Sequence, residues 1–336
     1  MIAVALVGTA HIHTPNFVER LLKRQDVKVV AVWDREVTRA KKYAEQLGLE
    51  PTSDLQEIWD NSSITAVIIC SETIHHLELV LPAVKAGKHL FIEKPLGIGQ
   101  KDAHIMAEAI QRAGVIFQTG YFRRGHKANL TLKNLITRDA FGKITRVRDT
   151  NMHHGSLGGW FDADFRWMAD PELAGVGAFG DLGAHSLDLL IWLFGEIETV
   201  TGLINPVTHR YGYCDETGEA LLKFKNGANA TIGAGWLDWG NPVSTHVSGT
   251  KASAFIRDDQ LYLNSKDLTQ KEGFQPYSEN EADLPHAFEL FLNALTGQTE
   301  VPLVSIRDAA YGSTVMDAIY RGAMNRQWIE VGPYAI

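Results

Sequence analysis

Short apolar runs alternate with longer amphipathic stretches over residues 1–120, and this alternation constrains the fold more than any other feature of the chain. Each run has the length of a buried strand, and each intervening stretch has helical spacing. Such alternation predicts right-handed βαβ units, which build a doubly wound parallel sheet with helices on both faces. The predicted strands are 2–7, 27–33, 66–70, 89–93 and 115–119, and the predicted helices are 15–24, 35–47, 77–86 and 101–113.

The pattern changes after about residue 141, where closely spaced strand-like segments follow one another. They predict a mainly antiparallel, open sheet in an α+β domain. Asn226-Gly227 and Asp258-Asp259 are typical of two-residue hairpin turns, and Ser305 with Asp308 is typical of a helix start. The predicted strands are 144–152, 197–205, 219–225, 228–236, 243–248, 253–257 and 260–263, and the predicted helices are 181–194, 284–295 and 305–325.

A chain of 336 residues exceeds the size of an ordinary single core, so we expect two domains, residues 1–122 and 123–336. The net charge of −8 argues against nucleic acid and anionic membranes as partners. Cys70 and Cys214 have no metal-binding or redox spacing, and Cys70 ends an apolar run typical of a buried thiol. The apolar N-terminus is too short for a signal peptide, so we expect a cytoplasmic protein.

The segment that follows the first predicted strand has the layout of a dinucleotide-binding turn. In the fingerprint G-x-G-x-x-G only the first glycine, Gly8, is present, and Ala10 replaces the second. Thr14-Pro15 is typical of a helix N-cap followed by a first-turn proline, and such a helix start attracts phosphate. A strand, turn and helix without a nucleotide could show the same pattern. Asp34, at the end of the second strand, favours NAD because its carboxylate accepts from ribose hydroxyls and repels a 2′-phosphate; Arg35 weakens that preference.

An alternative interpretation of His11-Ile12-His13 is the H-x-H motif of metal-dependent hydrolases built on barrels. That chemistry requires eight successive parallel strands with further histidines and an aspartate at their ends. The second half of this chain reads as antiparallel, so we predict no metal site.

Three motifs together identify a family. Glu93-Lys94-Pro95 follows a predicted strand, and His76 stands eleven residues before Gly87. Residues 181–188 have the form D-x-G-x-H-x-x-D, and Gly249-Thr250 also fits. In these motifs, which span nearly the whole chain, the sequence resembles the glucose–fructose oxidoreductase, inositol dehydrogenase and rhizopine catabolism (Gfo/Idh/MocA) family. The resemblance implies a Rossmann domain, an NAD cofactor and hydride transfer with a sugar or cyclic polyol hydroxyl. The family also contains NAD-dependent glycosidases that oxidise transiently, and non-catalytic sensors, and both remain alternatives.

The resemblance implies a catalytic centre of Lys94, Asp181 and His185. Lys94 ends a strand of an open α/β sheet, where ligands bind, and would bind the reacting hydroxyl and assist proton transfer. Asp181 and His185 are four residues apart and share a helix face, so the carboxylate could orient the imidazole. Asp188 is expected to brace structure, and Glu93 to point away from the reacting centre. Taken alone, Lys94 could be a surface lysine before a proline turn.

The remaining site residues are predicted from position. Arg124 is favoured over Arg123, which is expected to be a surface charge, and a homodimer or homotetramer is expected through the open sheet. The predicted cofactor contacts are Gly8, Thr9, Ala10, His11, Ile12, Asp34, Arg35, Cys70, Ser71, His76, Glu93 and Lys94. The predicted substrate contacts are Lys94, Arg124, His153, Trp160, Arg166, Asp181 and His185, with Trp167 as a further sugar-stacking candidate.

Overall fold

A parallel sheet forms the first half of the molecule in the computed structural model, which describes residues 1–269 and 273–334. The strands are β1 (Ile2–Val7), β2 (Val27–Trp33), β3 (Ile64–Ile69), β4 (His89–Ile92) and β5 (Phe117–Thr119). They pair in the order β2-β1-β3-β4-β5, and every pair is parallel. The predicted doubly wound sheet is therefore confirmed. Its strands are nearly continuous apolar runs because helices cover both faces.

The helices of this half are α1 (Thr14–Lys23), α2 (Val37–Gln46), α3 (Leu55–Asp60), α4 (His76–Lys85) and α5 (Gly99–Ala113). Short α3 was not predicted. The prediction of Thr14 as an N-cap was wrong by one residue, because His13 occupies the cap position and makes no side-chain capping bond. Pro15 does lie in the first turn, where its missing N–H costs no helical hydrogen bond.

The second half is built on a larger sheet. Its helices are α6 (Lys127–Thr137), α7 (Pro171–Ala174), α8 (Ala178–Phe194), α9 (Ala287–Leu295) and α10 (Ile306–Asn325). Its strands are β6 (Ile144–Met152), β7 (Ile197–Asn205), β8 (Thr217–Phe224), β9 (Asn229–Gly235), β10 (Val243–Gly249), β11 (Ala252–Arg257), β12 (Gln260–Ser265), β13 (Gln275–Pro276) and β14 (Ile329–Glu330). Within the described residues their order is β13-β12-β11-β10-β6-β9-β8-β7-β14. The pairs are antiparallel except β6 with β9, which confirms a mainly antiparallel sheet.

The two predicted hairpin turns have different outcomes. Asp258 and Asp259 both have positive φ, 50° and 58°, and join β11 to β12 in a two-residue turn. Between β8 and β9 only Gly227 of the Asn226-Gly227 pair has a positive φ, and the Phe224 N–H donates to the Ala228 carbonyl at 2.9 Å. That hairpin exists, but its connection is longer than two residues.

The helices of the second half tie the two sheets together. α8 lies against the inner face of the large sheet and begins at Ala178, three residues before the predicted start. α6 was not predicted. α9 returns to the first sheet, where Phe288 stacks on Phe17 at 4.5 Å between ring centroids and contacts Phe91 edge-on at 5.0 Å. A division of the chain near residue 122 therefore leaves part of the first sheet's cover in the later sequence.

None of the helices in the described part of the chain combines the length and apolar character that a membrane span requires. Cys70 and Cys214 are both free and buried. The arrangement places the carboxyl ends of β1, β3 and β4 opposite the first turns of α8, and this edge of an open α/β sheet is where ligands bind.

Candidate active site

Lys94 and Asp181 meet across the interface between the two sheets. Lys94 follows β4, and its side chain is 2% exposed. Its ammonium group donates to the Asp181 carboxylate and, at 3.3 Å, to the Asp181 backbone carbonyl. The other carboxylate oxygen of Asp181 accepts from Trp236 Nε1 at 3.0 Å. Burial alone would raise the pKa of Asp181, but Lys94 outweighs it and brings that pKa below its ordinary value. The pair is therefore a buried ammonium and carboxylate.

His185 lies one helical turn after Asp181 and is 4% exposed. Its ring contacts Tyr121 and Phe122 at centroid distances of 5.8 and 5.1 Å. Burial, with Lys94 nearby, holds the pKa of His185 well below its usual range. Its Nδ1 has no hydrogen-bond partner among the residues that the structure describes. The imidazole is thus neutral, and its buried Nδ1 has unused capacity to bond with a ligand.

The sequence predicts that Asp181 orients His185, but the structure shows no hydrogen bond between these two side chains. Both Asp181 oxygens are occupied, one by Lys94 and one by Trp236. The aromatic rings of Tyr121 and Phe122 hold His185 instead. Asp181 acts directly on Lys94, because its carboxylate accepts a hydrogen bond from the Lys94 ammonium group.

A cleft of about 350 Å³ opens beside these three side chains. Sequence reasoning missed Asn151, which lies near the end of β6 and donates to the Leu182 carbonyl at 3.0 Å. Its position at the end of a strand beside the catalytic helix was the available signal. The cleft is lined by Ile12, His13, Lys94, Phe122, Asn151, His153, Trp160, Phe161, Met168, Asp181, Leu182 and His185. The predicted substrate contacts Lys94, His153, Trp160, Asp181 and His185 are therefore brought together.

Arg124 and Arg166 are not brought to this cleft. Arg124 donates to both oxygens of Asp188, at 2.9 and 2.6 Å, and lies 3.0 Å from the Asp308 carboxylate. Arg166 donates to the Ala169 carbonyl at 2.9 Å and lies over the ring of Tyr211. Their prediction as substrate contacts is corrected, because each guanidinium is engaged elsewhere in the protein.

Arg123 is buried, whereas the sequence interpretation placed it on the surface. It was expected to be a surface charge, yet it is 8% exposed. Its two terminal nitrogens donate to the two oxygens of Asp149 at 2.8 and 3.0 Å. Thr245 donates to the same carboxylate at 2.7 Å. Arg123 is a buried ion-pair partner that joins the end of the first sheet to the second.

The turn after β1 leaves no room for a side chain at Gly8. Gly8 has φ of +80°, and a Cβ there would lie 2.6 Å from the Cβ of Ser71. Only glycine fits at that position. The turn is fixed by the His11 N–H, which donates to the Cys70 carbonyl at 2.9 Å, and by Trp167, which donates to the Ala10 carbonyl at 3.0 Å. Trp167 therefore holds the turn, and it is not among the residues that line the cleft.

Asp34 is held at the end of β2 by a set of donors. One oxygen accepts from the Thr9 N–H and hydroxyl at 2.6 and 2.7 Å, and the other accepts from Arg39 at 2.9 Å. A second cleft, of about 230 Å³, opens beside Thr9 and Arg39. Arg35, a predicted cofactor contact, donates to the Glu78 carboxylate and does not line this cleft. A carboxylate after β2 is typical of NAD sites. Both of its oxygens already accept from the protein, so a ribose hydroxyl would share them with Thr9 or with Arg39, a cation that sequence reasoning did not consider.

The other predicted cofactor contacts lie around this edge. His76 begins α4, is 1% exposed and pairs with the Leu96 carbonyl at 3.1 Å, while its Nε2 has no partner among the described residues. Ser71 packs against Gly8, and Ile12 lines the main cleft. Cys70 is completely buried, and its backbone N–H and carbonyl bond with Val7 and His11, so the structure gives no support to its predicted cofactor contact. An unpartnered buried nitrogen, a glycine-only turn and a carboxylate after β2 together fit a dinucleotide.

His11, His13 and Glu93 form a compact cluster under the turn. His13 Nδ1 lies 2.9 Å from a Glu93 oxygen, and the Lys94 N–H donates to the other oxygen at 2.9 Å. Burial would raise the pKa of Glu93, but His11 and His13 bring it well below its ordinary value. Ligand atoms of the three residues lie within 4.8 Å of one another, close enough to hold a metal ion. The hydrogen bond between His13 and Glu93 already uses two of these ligand atoms.

We expect His11 to make the protein less stable in mild acid. Burial lowers the pKa of His11 to about 3, from an unfolded value of 6.5. Below pH 6.5, His11 therefore binds a proton in the unfolded chain but stays neutral in the folded chain. The free energy of unfolding falls as the pH decreases toward 3. Between pH about 7.5 and about 5 this group should cost about 2 kcal/mol of unfolding free energy.

The measurement is urea denaturation of the wild type and of His11→Asn across that pH range. Other histidines also lower stability in acid, so the variant supplies the comparison. The wild type should lose about 2 kcal/mol more than the variant. Parallel pH curves for the two proteins would show that His11 is protonated in the folded state.

Comparisons with known proteins agree with this geometry. A family model described as an oxidoreductase family with an NAD-binding Rossmann fold (GFO_IDH_MocA) matches residues 2–121, and a GFO/IDH/MocA C-terminal domain model matches residues 129–255. A scyllo-inositol 2-dehydrogenase (NAD(+)) of Bacillus subtilis is 30% identical over 236 residues, 68% of this chain and 66% of that protein. A myo-inositol 2-dehydrogenase of Thermotoga maritima is 29% identical over 284 residues, 81% of this chain and 78% of that protein.

A solved structure shares the fold over nearly the whole length. The WlbA dehydrogenase from Bordetella pertussis, in complex with NADH and UDP-GlcNAcA, superposes with a TM-score of 0.83 at 22% identity. The match covers 99% of each chain. The parallel sheet, the large second sheet and their order along the chain are therefore those of a known fold.

Proposed function

This chain belongs to the Gfo/Idh/MocA family of oxidoreductases with an NAD-binding Rossmann fold, and we propose that it oxidises a hydroxyl group of a sugar or cyclic polyol. One observation carries the proposal: Lys94, Asp181 and a neutral His185 face one cleft at the edge of the nucleotide-binding sheet. That edge is where a nicotinamide would lie when NAD is bound.

Each of the three side chains has a distinct task. Lys94 donates a hydrogen bond to the reacting hydroxyl and holds it near His185. His185 accepts the hydroxyl proton, since its imidazole is neutral. Asp181 positions the Lys94 ammonium through its carboxylate. Bound NAD would supply the acceptor for the hydride.

The lining of the cleft supports a polyhydroxylated ring as substrate. Asn151 and His153 offer polar atoms, while Trp160 and Phe122 offer aromatic faces. A sugar or cyclitol presents both hydroxyls and C–H groups, so it matches such a mixed lining. The inositol 2-dehydrogenase activities named for two relatives belong to the same chemical class.

The test follows NADH formation at near-ultraviolet wavelengths with inositols, pyranoses, anhydrosugars, sugar acids and glycosides, with NAD and NADP in parallel. We expect turnover of one class, with NAD preferred because the carboxylate of Asp34, which follows β2, would repel a 2′-phosphate. Failure of every compound to reduce either nucleotide, although calorimetry detects NADH binding, would contradict a dehydrogenase. Release of a glycoside's leaving group without net NADH would instead indicate the glycosidase alternative.

We also propose that the protein works as a homo-oligomer in the cytoplasm. The outer face of the large sheet exposes Leu203 and Leu221, with 72% and 48% of their surface accessible. Burying such residues against a second copy would remove apolar surface from water. Two free, buried cysteines fit a reducing compartment.

A further inference from the structure

An aromatic surface continues outward from the cleft. Trp160 lines the cleft beside His153, with ring centroids 4.6 Å apart. His154 contacts Trp160 at 5.2 Å and stacks on Trp239 at 5.0 Å, with the two planes 16° apart. Trp160 is 43% exposed and Trp239 is 78% exposed. We refer to His154, Trp160 and Trp239 as the aromatic ledge.

The ledge is fixed by the sheet beneath it. β6 and β9 are parallel neighbours, and their last residues, Met152 and Gly235, pair with each other. The loops carrying His154 and Trp239 therefore leave the sheet side by side. The Asp238 N–H donates to the His153 carbonyl at 3.2 Å and joins the two loops. The Gly158 N–H donates to the His154 carbonyl at 2.7 Å and closes the turn before Trp160.

Two exposed tryptophans at the mouth of a cleft call for an explanation, because large aromatic residues usually gain stability by burial. We propose that the ledge binds a second sugar ring, so that the substrate is a neutral disaccharide or glycoside whose other ring is oxidised in the cleft. This proposal rests on the proposed function and names its substrate class. The apolar C–H face of a pyranose can lie on an indole, whose face carries the negative part of the ring quadrupole.

The charges around the ledge favour a neutral ring over a phosphate or a carboxylate. Asp238 precedes Trp239, and Asp162 lies in the turn that carries Trp160. Arg210, the cation beside that turn, is already paired with Asp162 through its Nε at 3.1 Å. The guanidinium of Arg210 is therefore already engaged by a carboxylate, so this cation gives an anionic group on the ledge no free positive charge to bind.

The experiment compares monosaccharides with matched disaccharides in the NADH assay: glucose with cellobiose and maltose, galactose with lactose, and xylose with xylobiose. At least one disaccharide should give a higher kcat/KM than its monosaccharide. For that disaccharide, Trp239→Ala should raise KM and thereby lower the ratio kcat/KM about tenfold. Trp239→Phe should restore most of that kcat/KM. Trp328→Ala removes a tryptophan that is 56% exposed after the last helix, and it should leave the ratio unchanged.

Calorimetry with the NADH complex separates this proposal from the proposed function. Disaccharide binding that is weakened by Trp239→Ala, without any NADH formation, would support the ledge and contradict the dehydrogenase. NADH formation with equal use of monosaccharides and disaccharides would contradict the ledge alone. A shift of Trp239→Ala to a smaller species in sedimentation, with an unchanged ratio, would also overturn it, because a second copy of the chain would then cover Trp239.

Discussion

Replacing Lys94 with alanine is expected to lower kcat/KM for the oxidised sugar by about a thousandfold, within the range for a lost hydrogen-bond donor at the reacting oxygen. The Lys94 ammonium is the group that the Asp181 carboxylate holds in the cleft. Without it the substrate hydroxyl loses its donor, and Asp181 is left buried and unpaired. The loss should therefore appear in kcat as well as in KM. Steady-state NADH formation measures both.

Three controls make this result specific to the site. Lys85→Ala removes an exposed lysine from the end of α4 and should retain wild-type activity. NADH titration of Lys94→Ala should show that the nucleotide still binds. Lys94→Arg retains the positive charge, but a planar guanidinium differs in shape from an ammonium group and would not direct a donor at the same hydroxyl, so its activity should remain low. Lys94→Ala with more than about a tenth of wild-type activity would remove Lys94 from the proposed centre.

The parallel sheet could be predicted because its signals are local. Apolar runs, a turn at Gly8 and an acidic residue after the second strand lie within a short stretch of chain. The Asp258-Asp259 turn was equally readable, since both residues adopt positive φ. Strand ends moved by a few residues, and the strand order of the large sheet could not be derived, because pairing between distant segments leaves no local pattern.

Helices that depend on distant contacts were harder to identify. α6 lacks a side-chain N-cap bond, and its buried Leu132 and Leu135 face partners that the sequence does not reveal. α9 was predicted as a helix, but its packing on Phe17 and Phe91 was not. Tertiary packing supplies most helical stability in proteins, so both failures have the same physical origin.

In the candidate site, too, residues in local motifs could be predicted, and residues placed by distant contacts could not. The motifs containing Lys94, Asp181 and His185 are contiguous in sequence, and the structure brings all three to one cleft. The adjacent arginines show the limit of this reasoning. Nothing in Arg123-Arg124 indicates which side chain faces inward, because the answer depends on Asp149 and Asp188, far along the chain. Trp239 was not predicted as a neighbour of the cleft, because its position beside His154 depends on the pairing of the distant strands β6 and β9.

Replacing Arg123 with alanine is expected to destabilise the protein by about 3 to 5 kcal/mol, the cost of leaving a buried carboxylate without its partner. Asp149 is 1% exposed, and both of its oxygens accept from Arg123. Thr245 alone would remain to bond with it. Urea denaturation measures the loss as a lower midpoint. Since the pair joins the two sheets, the variant should also unfold with a broader transition or in two steps.

A surface pair and a double variant show whether burial is the cause. Lys225 lies 2.6 Å from Glu196, but their side chains are 56% and 39% exposed. Glu196→Ala should therefore cost less than about 1 kcal/mol. Arg123→Met combined with Asp149→Leu removes both charges and should recover much of the loss, because an apolar pair needs no compensation. A double variant as unstable as Arg123→Ala alone would mean that the Arg123–Asp149 bond stabilises by its own strength. In that case the unpaired buried charge would not be the source of the loss.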